Sequence, residues 1–139
     1  GRGKVDDVYN ENTKFDFSKI SILRQGKDIV LFATGLMVQE ALKAAEEVDA
    51  TVVNVCSIKP IDKEGILSML SSHKKAYALE EHNIIGGLFS AISEVKAQSD
   101  ITTPLYPIGV NDVFGQSGKA SDVLDKYGLT SKHIVEKIK

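Results

Sequence analysis

Cysteine occurs once in the 139 residues, proline three times and tryptophan not at all. The lone thiol, Cys56, cannot close an internal disulfide, and with three scattered histidines it supplies no zinc cage. Excess charge of either sign is also missing. Seventeen Lys and Arg against nineteen Asp and Glu leave a formal charge of -2, so no overall basic field draws a nucleic-acid backbone. No apolar run approaches the roughly 20 residues of a membrane-spanning helix, and Gly1-Arg2-Gly3-Lys4-Val5-Asp6-Asp7 carries no signal-peptide core. Nucleic acid and membrane are therefore not expected partners, and a single thiol suits a reducing cytoplasm.

The chain does have a hydrophobic content of 42% with 26% charged residues, which suffices for one folded domain of ordinary size. Residues 1–17 mix Asp6, Asp7, Asn10, Glu11, Asn12 and Asp16 with isolated apolar residues, and sustain neither the helix nor the strand period. They are expected to be an arm or a linker from a preceding domain. Residues 18–139 form the domain proper.

Within it, Ile20 and Ile22 alternate with polar neighbours, Gln25-Gly26 offers a turn, and Asp28-Ile29-Val30-Leu31-Phe32-Ala33 is a continuous apolar run. This pattern predicts a hairpin with a half-exposed first strand and a fully buried second one. Thr34-Gly35 then opens a helix whose Val38, Ala41, Leu42, Ala45 and Val48 share one stripe, with the Thr34 hydroxyl as the expected cap. Thr51-Val52-Val53-Asn54-Val55-Cys56 reads as a buried strand, and Asp62 as the cap of a helix carrying Ile66, Leu67, Met69 and Leu70. Lys75-Ala76-Tyr77-Ala78-Leu79 is a third such strand, followed by a helix launched at Gly86-Gly87 with Leu88, Ala91, Ile92 and Val95 on one face. Pro104-Leu105-Tyr106-Pro107-Ile108 is weaker, because prolines remove backbone donors and belong at a sheet edge. Two short helices finish the chain, one ending at Gly128 and one starting at Thr130, where Leu129 and Ile134 have the spacing of a hydrophobic staple. The expected fold is a three-layer α/β/α sandwich of about five mostly parallel strands, the first antiparallel.

Ligands of such sheets bind beyond the carboxyl ends of the strands. Those ends carry Thr34-Gly35, Ser57, Glu80-Glu81-His82 and Asn111-Asp112. The densest cluster is Glu80-Glu81-His82-Asn83-Ile84-Ile85-Gly86-Gly87. Extended backbone there would put Glu80 and His82 on one side, where the carboxylate could orient the ring; the same groups could equally fix a loop or an interface. Gly86-Gly87 could let amides approach an anion, or could simply relieve crowding in a tight turn. Asp112 and Phe114 lie in an ordered turn, Phe114 inserting into a contact within the chain or between chains. No Gly-x-Gly-x-x-Gly, Walker loop, Gly-x-Ser-x-Gly elbow or His-Glu-x-x-His is present, and Cys56 is expected to be a small core residue, with His73 and His133 exposed at helix ends.

Five segments carry a resemblance: Ala33-Thr34-Gly35, Ile58-Lys59-Pro60-Ile61-Asp62, the Glu80-to-Gly87 cluster, Gly109-Val110-Asn111-Asp112-Val113-Phe114-Gly115-Gln116-Ser117-Gly118, and Lys126-Tyr127-Gly128-Leu129-Thr130. In this order they resemble the C-terminal domain of transketolase and its thiamine-diphosphate-dependent relatives. Phe89 departs from them, standing where relatives often have glycine. The resemblance implies an intact enzyme that moves two-carbon ketol units between sugar phosphates with thiamine diphosphate and Mg. Pyrophosphate- and pyrimidine-binding domains would lie upstream, and the assembled enzyme would be a homodimer. The family's Gly-Asp-Gly cofactor signature is absent, so the resemblance assigns no catalytic, cofactor-binding or metal residue here. It leaves Glu80, Glu81, His82, Asn83, Gly86, Gly87, Asp112 and Phe114 as an interface or anion site. Other expectations are a regulatory anion- or nucleotide-binding module, or the equivalent domain of deoxyxylulose-phosphate synthase or a 2-oxoacid dehydrogenase beta subunit.

Overall fold

The computed structural model describes residues 16–83, 87–110 and 130–139. Among the described residues, five strands and four helices follow one another: β1 (Ser21–Arg24), β2 (Ile29–Ala33), α1 (Met37–Val48), β3 (Thr51–Asn54), α2 (Lys63–Ser71), β4 (Lys75–Asn83), α3 (Leu88–Ala97), β5 (Leu105–Val110) and α4 (Ser131–Ile138). The helix predicted to end at Gly128, and the staple residue Leu129, lie outside the described residues.

The strands form one sheet in the order β1-β3-β2-β4-β5, parallel throughout except for β1. Strand alternation divides the apolar residues between its two faces. Leu31, Ala33, Val52, Tyr77, Leu79 and Ile108 meet α1 and α4 on one side. Val30, Phe32, Val53, Ala76 and Ala78 meet α2 and α3 on the other. Val30, Leu31 and Phe32 are completely buried, as expected of a central strand covered on both faces. Each such side chain contributes roughly 1.5–3 kcal/mol of burial free energy. Pro107 sits on β5, the edge its missing donor suits.

The predicted hairpin is corrected. β1 is antiparallel and lies at an edge, but its partner is β3, with Ser21 opposite Asn54 and Ile22 opposite Val53. The connection between β1 and β2 gives its amides to the α1–β3 turn: Gly26 N donates to Thr51 Oγ1 at 2.9 Å and Lys27 N to the Asp49 carbonyl at 3.0 Å. On its other side the Asp28 carbonyl accepts from Lys74 N and Lys75 N. The connector is thus held between the starts of β3 and β4, and β3 enters the sheet between β1 and β2.

Thr34 does not cap α1. The N-cap position is Leu36, without a side-chain bond, and the first turn is closed by Met37 N and Val38 N donating to the Thr34 and Gly35 carbonyls. Cys56 is also corrected: β3 stops at Asn54, and the thiol is exposed beyond it. Partial burial nevertheless pushes the thiol up from its ordinary pKa, which leaves it protonated and poorly nucleophilic at neutral pH.

Asp62 caps α2 as predicted, and it does more. One oxygen accepts from Gly65 N at 3.1 Å while the other accepts from Ile20 N at 3.0 Å, 42 residues away. Asp62→Ala therefore removes a helix cap and the tether of the segment entering β1. Urea unfolding is expected to show a loss of about 2 kcal/mol, at the upper end for a lone cap. A loss below about 0.5 kcal/mol would mean that water replaces both bonds.

Candidate functional site

The carboxyl ends of β2 and β4 mark the place where the chain's connections diverge. β2 leads to α1 on one face, whereas β4, its parallel neighbour, leads to α3 on the other. A crevice at such a switch point is where open α/β sheets bind ligands. Gly35 lies at the end of β2 and Glu80-Glu81-His82-Asn83 at the end of β4. These four residues extend the strand four positions beyond the apolar segment that predicted it, although the pairing with β5 is irregular between Leu79 and Asn83.

Strand geometry sends the two glutamates to opposite faces. Glu80 is only 1% exposed. Its Oε1 accepts from Leu88 N at 3.0 Å and its Oε2 from Phe89 N at 2.9 Å. The first amides of a helix have no partner within the helix, and Gly87, at the N-cap position, has no side chain to offer them. Glu80 reaches across from β4 and supplies both acceptors, with a negative charge that suits the helix dipole. Those two amides consequently have an anion built into the chain.

Glu81 turns toward the α1 side. A Cβ built on Gly35 would stand 2.7 Å from Glu81 Oε1, and Gly35 has a φ of +61°, in the left-handed region. The backbone favours glycine there, and its missing side chain leaves room for the Glu81 carboxylate. The Glu81 carboxylate thereby fills the approach to the β2–α1 turn. Elsewhere along this rim, Ser57 Oγ donates to the Pro60 carbonyl at 2.8 Å, which closes its own loop.

Of the remaining candidates, His82 and Asn83 belong to the backbone of β4, and their side chains lie outside the description. Gly86, Asp112 and Phe114 lie outside the described residues, so contact between them and Glu80 or Glu81 is not established. Among the described residues, no group of three or more His, Cys, Asp and Glu is placed to hold a metal ion. Neither the metal nor a step of cofactor chemistry can be assigned to this donor set.

One polar network escaped the sequence reading. His73 is buried rather than exposed. Its Nδ1 lies 2.7 Å from the Met69 carbonyl and its Nε2 2.8 Å from Thr51 Oγ1. A carbonyl only accepts, so Nδ1 carries the proton, and Thr51 links the ring to Gly26 at the amino ends of the strands. A threonine opening a buried strand is the signal the sequence offers. His133 is half-buried, and its Nδ1 is 2.7 Å from Thr130 Oγ1.

Comparison with known proteins places this geometry in context. A family model described as transketolase, C-terminal domain, matches residues 18–134. The chain is 40% identical over 133 residues to a 6-deoxy-6-sulfo-D-fructose transketolase subunit of Clostridium sp. strain MSTE9, covering 92% of this chain and 41% of that protein. It is 34% identical over 139 residues to the 1-deoxy-D-xylulose-5-phosphate synthase of Nitrosomonas europaea, covering all of this chain and 23% of the synthase. A solved structure described as a split gene transketolase, inactive beta4 tetramer, superposes with a TM-score of 0.89 at 36% identity, covering 99% of this chain and 46% of the other. The chain thus spans less than half the length of these relatives.

Proposed function

The chain belongs to the transketolase C-terminal domain family, and from that premise we propose that it is a bracing and assembly domain whose reaction centre is formed by other segments or subunits. The intact enzyme would transfer two-carbon ketol units between sugar phosphates, in the cytoplasm and as a homodimer. Thiamine diphosphate and Mg would supply the carbanion chemistry between upstream pyrophosphate- and pyrimidine-binding domains. Residues 1–17 would link to such a domain or meet it as an arm.

The observation that carries this reading is the engagement of Glu80. Its two oxygens hold the start of α3, while Glu81 packs at Gly35. The carboxylates at the switch point thus stabilise the rim that a neighbouring domain would meet. A rigid rim restricts how that domain docks, and placement to within a fraction of an ångström is what catalytic geometry demands. The similar split gene transketolase, described as an inactive beta4 tetramer, supports the same division of labour.

The test is reconstitution. The 139-residue chain alone is expected to bind thiamine diphosphate no better than background and to show no ketol transfer, whereas adding the upstream part restores turnover. Glu81→Ala or His82→Ala is expected to weaken that assembly about tenfold, roughly 1.4 kcal/mol, with little change in turnover at saturation. Saturable cofactor binding or turnover by the chain alone would overturn the proposal, as would intact assembly with selectively lost turnover.

The likeness to 1-deoxy-D-xylulose-5-phosphate synthase over the whole chain supports a second parent enzyme with the same role for this domain. Assaying the reconstituted enzyme for ketol transfer and for deoxyxylulose-phosphate formation separates the two.

A further inference from the structure

Grooves on the described surface differ in charge balance. Between α1 and α4, Lys43, Lys132 and Lys139 stand with Glu47 and Glu136. Beside α3, Lys59 and Lys63 face Glu94. A groove of about 330 Å³ at the free edge of β5 is different: Lys75, Lys137 and Lys139 line it together with Tyr77 and Tyr106, and no carboxylate side chain does. This is a local reversal in a chain of net charge -2. None of the three lysines forms an ion pair with a described residue, although the adjacent Lys74 lies 3.9 Å from Asp28.

Three elements separated in sequence build this concavity. Lys75 and Tyr77 share a face of β4, Tyr106 pairs with Tyr77 across the ladder, and α4 brings Lys137 and Lys139 over them. The two rings lie 5.5 Å apart, tilted by 34°. Tyr77 is 5% exposed and forms the floor, while Tyr106, at 46%, forms an open wall. Lysines on an edge strand discourage strand-to-strand aggregation, but Lys75 is on an interior strand, Lys137 is on α4 and Lys139 is its C-cap. Gathering three ammonium groups around one concavity is electrostatically unfavourable until an anion joins them.

We propose that this groove binds a small phosphorylated molecule, the lysines meeting its phosphate and the tyrosines its organic body. Lysine suits phosphate as a mobile point charge, and the volume lies at the lower end of small-molecule sites, roughly 300–1,000 Å³. Burial, and then Tyr106, pushes the Tyr77 phenol up from its ordinary pKa, so it remains a hydrogen-bond donor at neutral pH. The site lies at the amino ends of β4 and β5, at the far end of the sheet from Gly35 and Glu81, and is independent of the docking role.

The experiment titrates the 139-residue chain with inorganic pyrophosphate and with phenyl phosphate in about 0.15 M salt, where exposed charges are screened beyond about 8 Å. Binding is followed by calorimetry and by tyrosine fluorescence, which is readable because the chain has no tryptophan. Saturable binding of phenyl phosphate is expected, with a change in tyrosine emission and an affinity at least about tenfold weaker in Lys75→Ala/Lys137→Ala. Lys59→Ala/Lys63→Ala, in the groove that Glu94 also lines, should bind as the parent does. Tyr106→Ala should weaken phenyl phosphate more than pyrophosphate. Absence of saturable binding, equal binding by both lysine pairs, or pyrophosphate binding that no variant alters, an adventitious ion only, would each overturn the site.

Discussion

Gly26→Ala is expected to unfold the domain or to cost about 3 kcal/mol or more, a value at the upper end for overpacking. An added Cβ would stand 2.7 Å from the Ala50 carbonyl oxygen, and closer still to the Asp49 carbonyl oxygen and the Ala50 carbonyl carbon. All three are backbone atoms of the turn between α1 and β3, so no rotamer change relieves the clash. The same turn accepts the Lys27 amide, and Gly26 N donates to Thr51 Oγ1. Pushing the strands apart therefore breaks the bonds that set β3 between β1 and β2. Denaturant unfolding with Gly35→Ala alongside gives a useful contrast. Gly35 has the left-handed φ, but its closest neighbour is the side chain of Glu81, which can withdraw. The smaller loss, about 1–2 kcal/mol, is expected at position 35. A Gly26→Ala protein as stable as the parent would show that the turn yields readily.

Glu80→Ala is the second large effect, about 4 kcal/mol in equilibrium unfolding. Two charge-assisted bonds disappear, the Leu88 and Phe89 amides lose their acceptors at a buried helix start, and a cavity remains. Each orphaned buried donor costs roughly 1–3 kcal/mol. Glu80→Gln keeps the volume and one good acceptor, but sets an amide group against a backbone donor. It should lose about half as much. Amide exchange supplies a local readout, because faster exchange at Leu88 and Phe89 should exceed the change in the core of β2. Unchanged protection at those two amides, with a stability loss under about 1 kcal/mol, would mean that the helix start does not depend on Glu80. Upstream assembly should fail in parallel with this local opening if the rim of β4 and α3 is the docking surface.

The candidate cluster was legible as a cluster because polar residues followed an apolar strand segment and preceded glycines. Its internal geometry was not. Strand alternation puts Glu80 and His82 on one side, but it gives no sign that Glu80 accepts from backbone amides eight and nine residues away. His73 was misjudged for a related reason. Its surroundings in sequence are polar, but Thr51 and the Met69 carbonyl close over it only once α2 packs on the sheet.

Among the described residues, the sequence by itself determined where the strands and helices lie, though not the four-residue extension of β4, because two-residue and 3.6-residue apolar periods are written within each segment. It also marked Asp62 as a cap and the proline-containing β5 as an edge, since both depend on groups carried by the residue itself. Only the tertiary structure decided that β1 pairs with β3, that Glu80 holds the first amides of α3, and that Lys75 and Lys137 line one groove with two tyrosines. Those outcomes depend on which of several compatible surfaces, distant in the chain, bury and hydrogen-bond one another best.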